Sequence, residues 1–282
     1  MRVLVTGAAG MLGREVTAAC HARDHEVVAL AHAALDITIP ADADAAMSRY
    51  RPDAVVNCAA FTDVDGAEDD EAGAMRLNDE GAAMLAGAAA RVDAKVLYPS
   101  SDYVFDGSAR EPYVESNMPS PVSAYGRSKQ AGETSVAVAN PRHFIARSAW
   151  LFGLSGKNFV ETMLRLGNEQ SEVMVVTDQV GCPTYTRHLG EAMALLVEGE
   201  AFGIHHLAAG GQCSWYEFAQ EIFDQAGVEC RVMSATTEML ARKAPRPTYS
   251  VLGTERPDAI VLPHWRKGLA AYLAARALEA VA

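Results

Sequence analysis

Tyr125-Gly126-Arg127-Ser128-Lys129 places a phenol and an ammonium four positions apart. The preceding Pro119/Pro121 loop and Ser123, a suitable cap, predict a helix start there. On a helix the two side chains share one face. A phenol with a pKa near ~10 is a poor proton donor at neutral pH. A neighbouring ammonium stabilises the phenolate and suits the pair to acid–base work. Taken alone, the pair also reads as an interfacial tyrosine beside a solvated lysine. The preceding stretch adds weight. Lys95-Val96-Leu97-Tyr98-Pro99 reads as a strand that ends in Ser100-Ser101, 24 positions before Tyr125. Together Ser101, Tyr125 and Lys129 can hydrogen-bond a carbonyl oxygen, give it a proton and hold a nicotinamide ribose. That is the equipment for hydride transfer to or from a C–O carbon.

Such a site needs a scaffold that carries a dinucleotide. Arg2-Val3-Leu4-Val5 reads as a strand, Thr6-Gly7-Ala8-Ala9-Gly10-Met11-Leu12-Gly13 as a turn, and Arg14 to about Ala22 as a helix. Strand, glycine turn and helix N-terminus bring free N–H groups to a pyrophosphate. A tight turn without a ligand is the plainer reading of the same glycines. Glu26 to Leu30 predicts the second strand. No carboxylate follows in Ala31-His32-Ala33, and Arg14 can pair with a 2′-phosphate. This favours NADPH while leaving NADH open. Asp36 and Ile37 either flank an adenine or, for Asp36, make a turn. Ala54 to Ala60 reads as a buried strand running into Phe61-Thr62. The alanine-rich segment from Asp69 to Arg91 reads as helix, with Asn78 reaching a neighbouring loop.

Composition narrows the function. At 282 residues the chain can bury a sizeable core. Its net charge of −12 argues against nucleic-acid and anionic-membrane partners, so a phosphate-bearing substrate needs a local cationic pocket. Lys157, Arg187 and Arg246 are the candidates for that pocket; a solvated surface place suits each equally well. The five cysteines are scattered and never in CxxC spacing, which argues for free thiols in a reducing cytoplasm. No apolar run approaches a membrane span, and the amino terminus enters a strand at once, unlike a signal peptide.

Beyond Trp150 strict strand–helix alternation lapses. Helices are expected at 158–168, 187–198 and 265–282, and strands at 173–176 and 204–208. His205 and His206 fall on opposite strand faces, which favours packing over a metal pair. Ser214 and Glu217 form a capping-box pattern at a helix whose aromatics read as core. Ala244-Pro245-Arg246-Pro247 reads as a rigid loop presenting Arg246. The expected fold is α/β: a Rossmann-type, doubly wound parallel sheet with a smaller interleaved α/β lobe. Residues 1–150 would bind the dinucleotide. Residues 151–282 would mainly bind substrate, with some segments returning to the first domain.

With these motifs in view, the chain resembles the extended short-chain dehydrogenase/reductase family. Gly7 to Gly13 and Tyr125 to Lys129 mark that family broadly. Ser101-Asp102-Tyr103-Val104-Phe105-Asp106-Gly107, Arg147 to Gly153, Asp178 to Tyr185, Gln212 to Ala219 and Ala244 to Pro247 resemble its rhamnose-pathway reductase branch. The resemblance implies NADPH-dependent reduction of the 4-keto group of a dTDP-linked 6-deoxy sugar, giving dTDP-L-rhamnose. Tyr125 would be the acid, Lys129 its tuner and ribose ligand, and Ser101 the polarising hydroxyl. Asp102 and Trp150 would touch the sugar nucleotide. Gly7, Gly10, Met11, Leu12, Gly13, Asp36, Ile37, Ala60, Phe61 and Thr62 would hold the coenzyme. The resemblance also associates Mg2+ with Glu15, although spacing shows no ligand cluster, and it makes a homodimer possible. Dehydratases of the family need a glutamate after the aspartate, and here Tyr103 follows Asp102. A 4-epimerase would keep Ser101, Tyr125 and Lys129, but fits the later motifs less well. The other class of function is a coenzyme-binding regulatory subunit, which such a fold also resembles. Turnover by the purified protein alone distinguishes the two.

Overall fold

The computed structural model describes residues 1–279. Short aliphatic runs form six strands of one parallel sheet. Their order across it is Gly203–His206, His143–Ser148, Lys95–Ser101, Ala54–Asn57, Arg2–Thr6, Glu26–Leu30. Alternation along a strand sends neighbours to opposite faces. Val3 and Val5 pack with Val16, Leu97, Leu189 and Met193, under helices Met11–Ala22 and Thr186–Leu196. Leu4 packs the other way with Val55, Val96, Met47 and Leu85, under Pro40–Tyr50, Ala82–Ala90 and Ala124–Ala139. The sheet is therefore covered on both faces, as parallel strands require.

Strand order reverses between Arg2–Thr6 and Ala54–Asn57, which opens a crevice at their carboxyl ends. The Thr6 hydroxyl donates to Asn57 Oδ1 at 2.6 Å across it. The carboxy-terminal half builds a second core from Phe152, Leu164, Phe218, Ile222, Trp265 and Tyr272. There the parallel strands Glu172–Val176 and Arg231–Ala235 lie beside helices Phe159–Glu169 and Trp215–Ala226. The same half returns helix Thr186–Leu196 and strand Gly203–His206 to the main sheet. The last helix is described as Trp265–Glu279; its expected end at 280–282 lies outside the described residues.

Several helix starts follow their caps. Ser123 accepts from Gly126 N, Asn158 from Glu161 N, and Ser214 and Glu217 close a capping box. The coenzyme-side helix starts earlier than expected, at Met11. The largest departure is the segment expected as one helix over 69–91. It is Glu71–Met75, a wide π turn over Arg76–Gly81, then Ala82–Ala90. Asn78 is the physical reason. Its Oδ1 accepts from Phe61 N at 2.8 Å, and its Nδ2 donates to Phe61 O and Ser128 Oγ. The Asn78 carbonyl accepts the Tyr98 phenol at 2.8 Å. Such outside partners hold a π bulge in place of regular helix.

Candidate active site

The glycine turn forms because its backbone approaches neighbours too closely for side chains. Gly7 has φ +59°, and a Cβ there would stand 2.6 Å from the Cys58 carbonyl carbon. A Cβ on Gly13 would strike the Gly7 carbonyl. Gly10 opens helix Met11–Ala22 with no side-chain cap, so the first N–H groups remain available to an anion. Beside this turn lies an open cleft of about 390 Å³, lined by Gly7, Gly10, Ala31, His32, Ile37 and Ala60 among others. The cradle fits a dinucleotide: an uncapped helix end for the pyrophosphate and an apolar floor for the adenine. Ile37 is 1% exposed within this lining, whereas Asp36 turns its Oδ1 to Thr38 N and Oγ1 at 2.9 and 2.7 Å. Of the two readings of Asp36, its own contacts are those of the turn. Phe61 and Thr62 continue the strand end beyond the cleft lining, with Phe61 held by Asn78. Met11, Leu12 and Gly13 form the first turn of the helix.

Strand Lys95–Ser101 and helix Ala124–Ala139 bring the reactive groups together. The Ser101 hydroxyl stabilises the ionised form of Tyr125, as a hydrogen-bond partner does. Burial outweighs this, and with the nearby Asp102 charge it pushes the Tyr125 phenol up to about 12. Tyr125 is only partly buried, so its exposed part moderates that push. Lys129 is 2% exposed, and burial pulls its ammonium down to about 7. Its Nζ lies 4.0 Å from the centre of the Tyr98 ring. The expectation that Lys129 lowers the Tyr125 pKa is therefore corrected: Lys129 is itself desolvated and faces Tyr98 and Glu133.

Asp102 is 1% exposed, with Oδ2 accepting from Ser250 Oγ at 2.6 Å and Oδ1 from Ser101 Oγ at 3.0 Å. Burial raises its carboxyl to about 6. Asp102, expected to touch the sugar nucleotide, lies as a buried carboxylate behind Ser101. Trp150 has φ +49° and stacks on Trp215 at 3.5 Å and 4°. Trp215 Nε1 donates to Gln179 Oε1, and Phe159 leans on the same ring. Trp215, read from the sequence as core, is partly buried and packs against the carboxy-terminal core.

The expected cation pocket is not assembled from free cations. Arg246 donates to both Asp65 oxygens at 3.1 and 3.0 Å and to the Ala244 carbonyl. It also reaches the Tyr103 phenol, and the Tyr103 ring meets Tyr125 edge-on at 5.6 Å. Arg187 stands 3.7 Å from Glu15, and Lys157 is exposed in the turn before helix Phe159–Glu169. Among the described residues no group of three or more His, Cys, Asp or Glu side chains can hold a metal ion. Glu15 faces a guanidinium, so the residues here do not fit the Mg2+ suggested by resemblance. His205 and His206 bond backbone carbonyls of Ala201 and of Tyr113 and Gly253. All five cysteines are free. Among the described residues no helix is long and apolar enough to cross a membrane. A second cleft, about 270 Å³, opens beside His206 and Gly210.

A parallel sheet with a coenzyme crevice, a strand-end serine and a helical tyrosine–lysine pair define a nicotinamide-dependent oxidoreductase of the short-chain type. The sequence pattern of the RmlD substrate binding domain matches residues 1–278, and the chain belongs to that family. A dTDP-4-dehydrorhamnose reductase of Streptomyces griseus is 44% identical over 95% of this chain and 91% of its own length. A probable dTDP-4,6-dihydroxy-2-methyloxan-3-one 4-ketoreductase of Streptomyces antibioticus is 42% identical, covering 95% and 93%. The crystal structure of dTDP-4-dehydrorhamnose reductase from Bacillus anthracis in complex with NADP superposes with a TM-score of 0.95. That chain is 37% identical and the match covers 97% of this chain and 99% of the other.

Proposed function

We propose that this protein reduces the 4-keto group of dTDP-4-dehydro-L-rhamnose to dTDP-L-rhamnose, using NADPH. The observation that carries this reading is Ser101 acting on the Tyr125 phenol, with Lys129 one turn along the same helix and near Cys58 of the glycine-turn cleft, in a chain of this family. NADPH, when bound, supplies the hydride that the C4 carbon receives. Gly7, Gly10 and the first turn of helix Met11–Ala22 hold its pyrophosphate, and Ile37, Ala60 and Phe61-Thr62 line its path. The absence of an acid at Ala31-His32-Ala33 supports NADPH over NADH. Arg14, whose Nε donates to the Ala9 carbonyl at 3.0 Å, is the residue we assign to the 2′-phosphate.

Tyr125 stays protonated through neutral pH and delivers its proton to the C4 oxygen as charge develops there. The Ser101 proton is directed to Asp102, so donation to the carbonyl requires that hydroxyl to swing. Asp102 serves by holding Ser101, not by touching sugar. Lys129 holds the ribose. The Trp150–Trp215 stack forms one wall of the sugar-nucleotide side. Residues 1–150 thus form the coenzyme domain and residues after 150 mainly the substrate lobe. We further place the protein in the cytoplasm, as a homodimer.

The test is the near-ultraviolet absorbance of NADPH with purified protein and the 4-keto sugar nucleotide. Loss of absorbance with formation of dTDP-L-rhamnose is expected. Oxidation giving the other C4 epimer would overturn the sugar assignment, and coenzyme binding without turnover would favour the regulatory-subunit reading.

A further inference from the structure

Helix Ala124–Ala139 carries a third buried polar residue in register with the reactive pair: Glu133 follows Lys129 by four positions, as Lys129 follows Tyr125. Phenol, ammonium and carboxyl therefore share one helix face, one turn apart. Glu133 is 6% exposed and Arg147 1% exposed. Arg147 Nε and Nη2 donate to the two Glu133 oxygens at 2.8 and 2.6 Å, in the bidentate fork of guanidinium and carboxylate. Ser100 Oγ adds a third donor at 2.6 Å. Ser100, Arg147 and His206 stand side by side in register on three neighbouring strands.

Carbonyls of Tyr113 and Gly253 take the His206 Nδ1–H, which leaves Nε2 as an acceptor 3.5 Å from Arg147 Nη1. The guanidinium also lies 5.0 Å from the Phe105 ring centre. Arg147 is thus fixed from the sheet side, and it fixes Glu133. An ion pair removed from water in this way costs more to desolvate than a surface pair and contributes little stability by itself. Its position beneath the reactive helix face calls for another role.

We propose that Glu133, clamped by Arg147 and Ser100, is a positioning residue for Lys129: its carboxylate is the anion against which the buried ammonium is held beside the coenzyme ribose. The proposal rests on the reductase reading for what Lys129 does. The groups facing Lys129 are Glu133 on its own helix, Tyr98 on strand Lys95–Ser101, and Cys58 after strand Ala54–Asn57, while Tyr125 stands one turn earlier on the helix. Burial raises both the Tyr98 phenol and the Cys58 thiol, the latter to about 12, so both are neutral at physiological pH. The Tyr98 ring supplies a face for the ammonium and Glu133 supplies the charge. The Glu133 charge opposes the burial that pulls Lys129 down to about 7.

The test follows NADPH binding by fluorescence and kcat by absorbance, each across pH, for wild type, Glu133→Gln, Glu133→Asp and the double variant Glu133→Gln/Arg147→Met. The double variant leaves no unpaired buried guanidinium, so it covers the case in which Glu133→Gln fails to fold. Both variants lacking the carboxylate should move the Lys129-dependent limb of the NADPH-binding profile down by about one pH unit, the scale of a nearby opposite charge. Glu133→Asp should restore it. A wild-type binding profile in the folded double variant, with only a lowered melting temperature, would overturn the proposal and leave Glu133 structural. Wild-type protein that binds NADPH but does not turn over would refute the reductase reading, while the binding profiles would still decide the place of Glu133.

Discussion

At the scale of single residues, two opposed shifts govern the site. Tyr125 is pushed up to about 12 and Lys129 down to about 7, both mainly by burial. A tyrosine that keeps its proton is an acid for a reduction. Tyr125→Phe should lower kcat roughly 10²–10⁴-fold, the usual worth of a placed acid, while NADPH binding followed by fluorescence stays close to wild type. Lys129 also bears on stability. Its pKa is lowered on folding, from near 10.5 to about 7. Its neutral form therefore supports the fold above pH ~10.4, and this support is lost as pH falls through about 7. Lys129→Met removes that loss. Thermal melts should show the variant melting higher at neutral pH, by roughly 2–4 °C for each kcal/mol recovered. The gap should narrow as pH rises toward ~10. A gap independent of pH would contradict the buried-ammonium account.

At the scale of elements, strand ends and helix starts do the placing, and one aromatic stack, proposed as a wall of the sugar-nucleotide side, comes from two distant segments. Trp150 follows strand His143–Ser148, whereas Trp215 opens helix Trp215–Ala226 in the carboxy-terminal half. Their rings stack at 3.5 Å, and Gln179 and Phe159 hold Trp215 from behind. A Cβ on Gly181 would run into the Trp150 ring, so the backbone there fits closely against the indole. Aromatic stacking of this kind contributes about 0.5–1.5 kcal/mol beyond burial. Trp215→Ala should accordingly raise KM for the sugar nucleotide by about 2–10-fold, with KM for NADPH unchanged. Steady-state kinetics with each substrate varied checks this; equal rises in both would point to general loosening.

At the scale of the whole molecule, the loop carrying Arg246 closes onto the helix that begins after Asp63. Arg246 grips both oxygens of Asp65, whose carboxyl is held below the usual range by that hydrogen bond although burial opposes it. Ala244 N also donates to Asp65, and Lys243 pairs with Asp69. Asp65→Asn should free this loop without disturbing the sheet. Limited proteolysis should cut near residues 242–246 several times faster, with global stability lowered by no more than about 1 kcal/mol. An unchanged cleavage pattern would show that the proline-bounded loop holds by its own stiffness.

Much of the molecule was legible from local chemistry. Periodicity two and glycine punctuation located the strands and the coenzyme turn, because backbone sterics are local. Ser123, Asn158 and Ser214 announced helix starts, because a cap acts within three residues. Spacing likewise put Ser101, Tyr125 and Lys129 on elements that meet. Contacts between distant segments were not legible. The break in the 69–91 helix depends on Asn78 meeting Phe61 and Ser128. Asp102 turned inward because Ser250, 148 positions away, waits for it. Arg246, read as a cation awaiting phosphate, is matched by Asp65. The chain by itself determined which groups can do the chemistry and which elements carry them. Only the tertiary structure decided their burial, and thereby the charge each holds, because desolvation depends on every neighbour and not on sequence spacing.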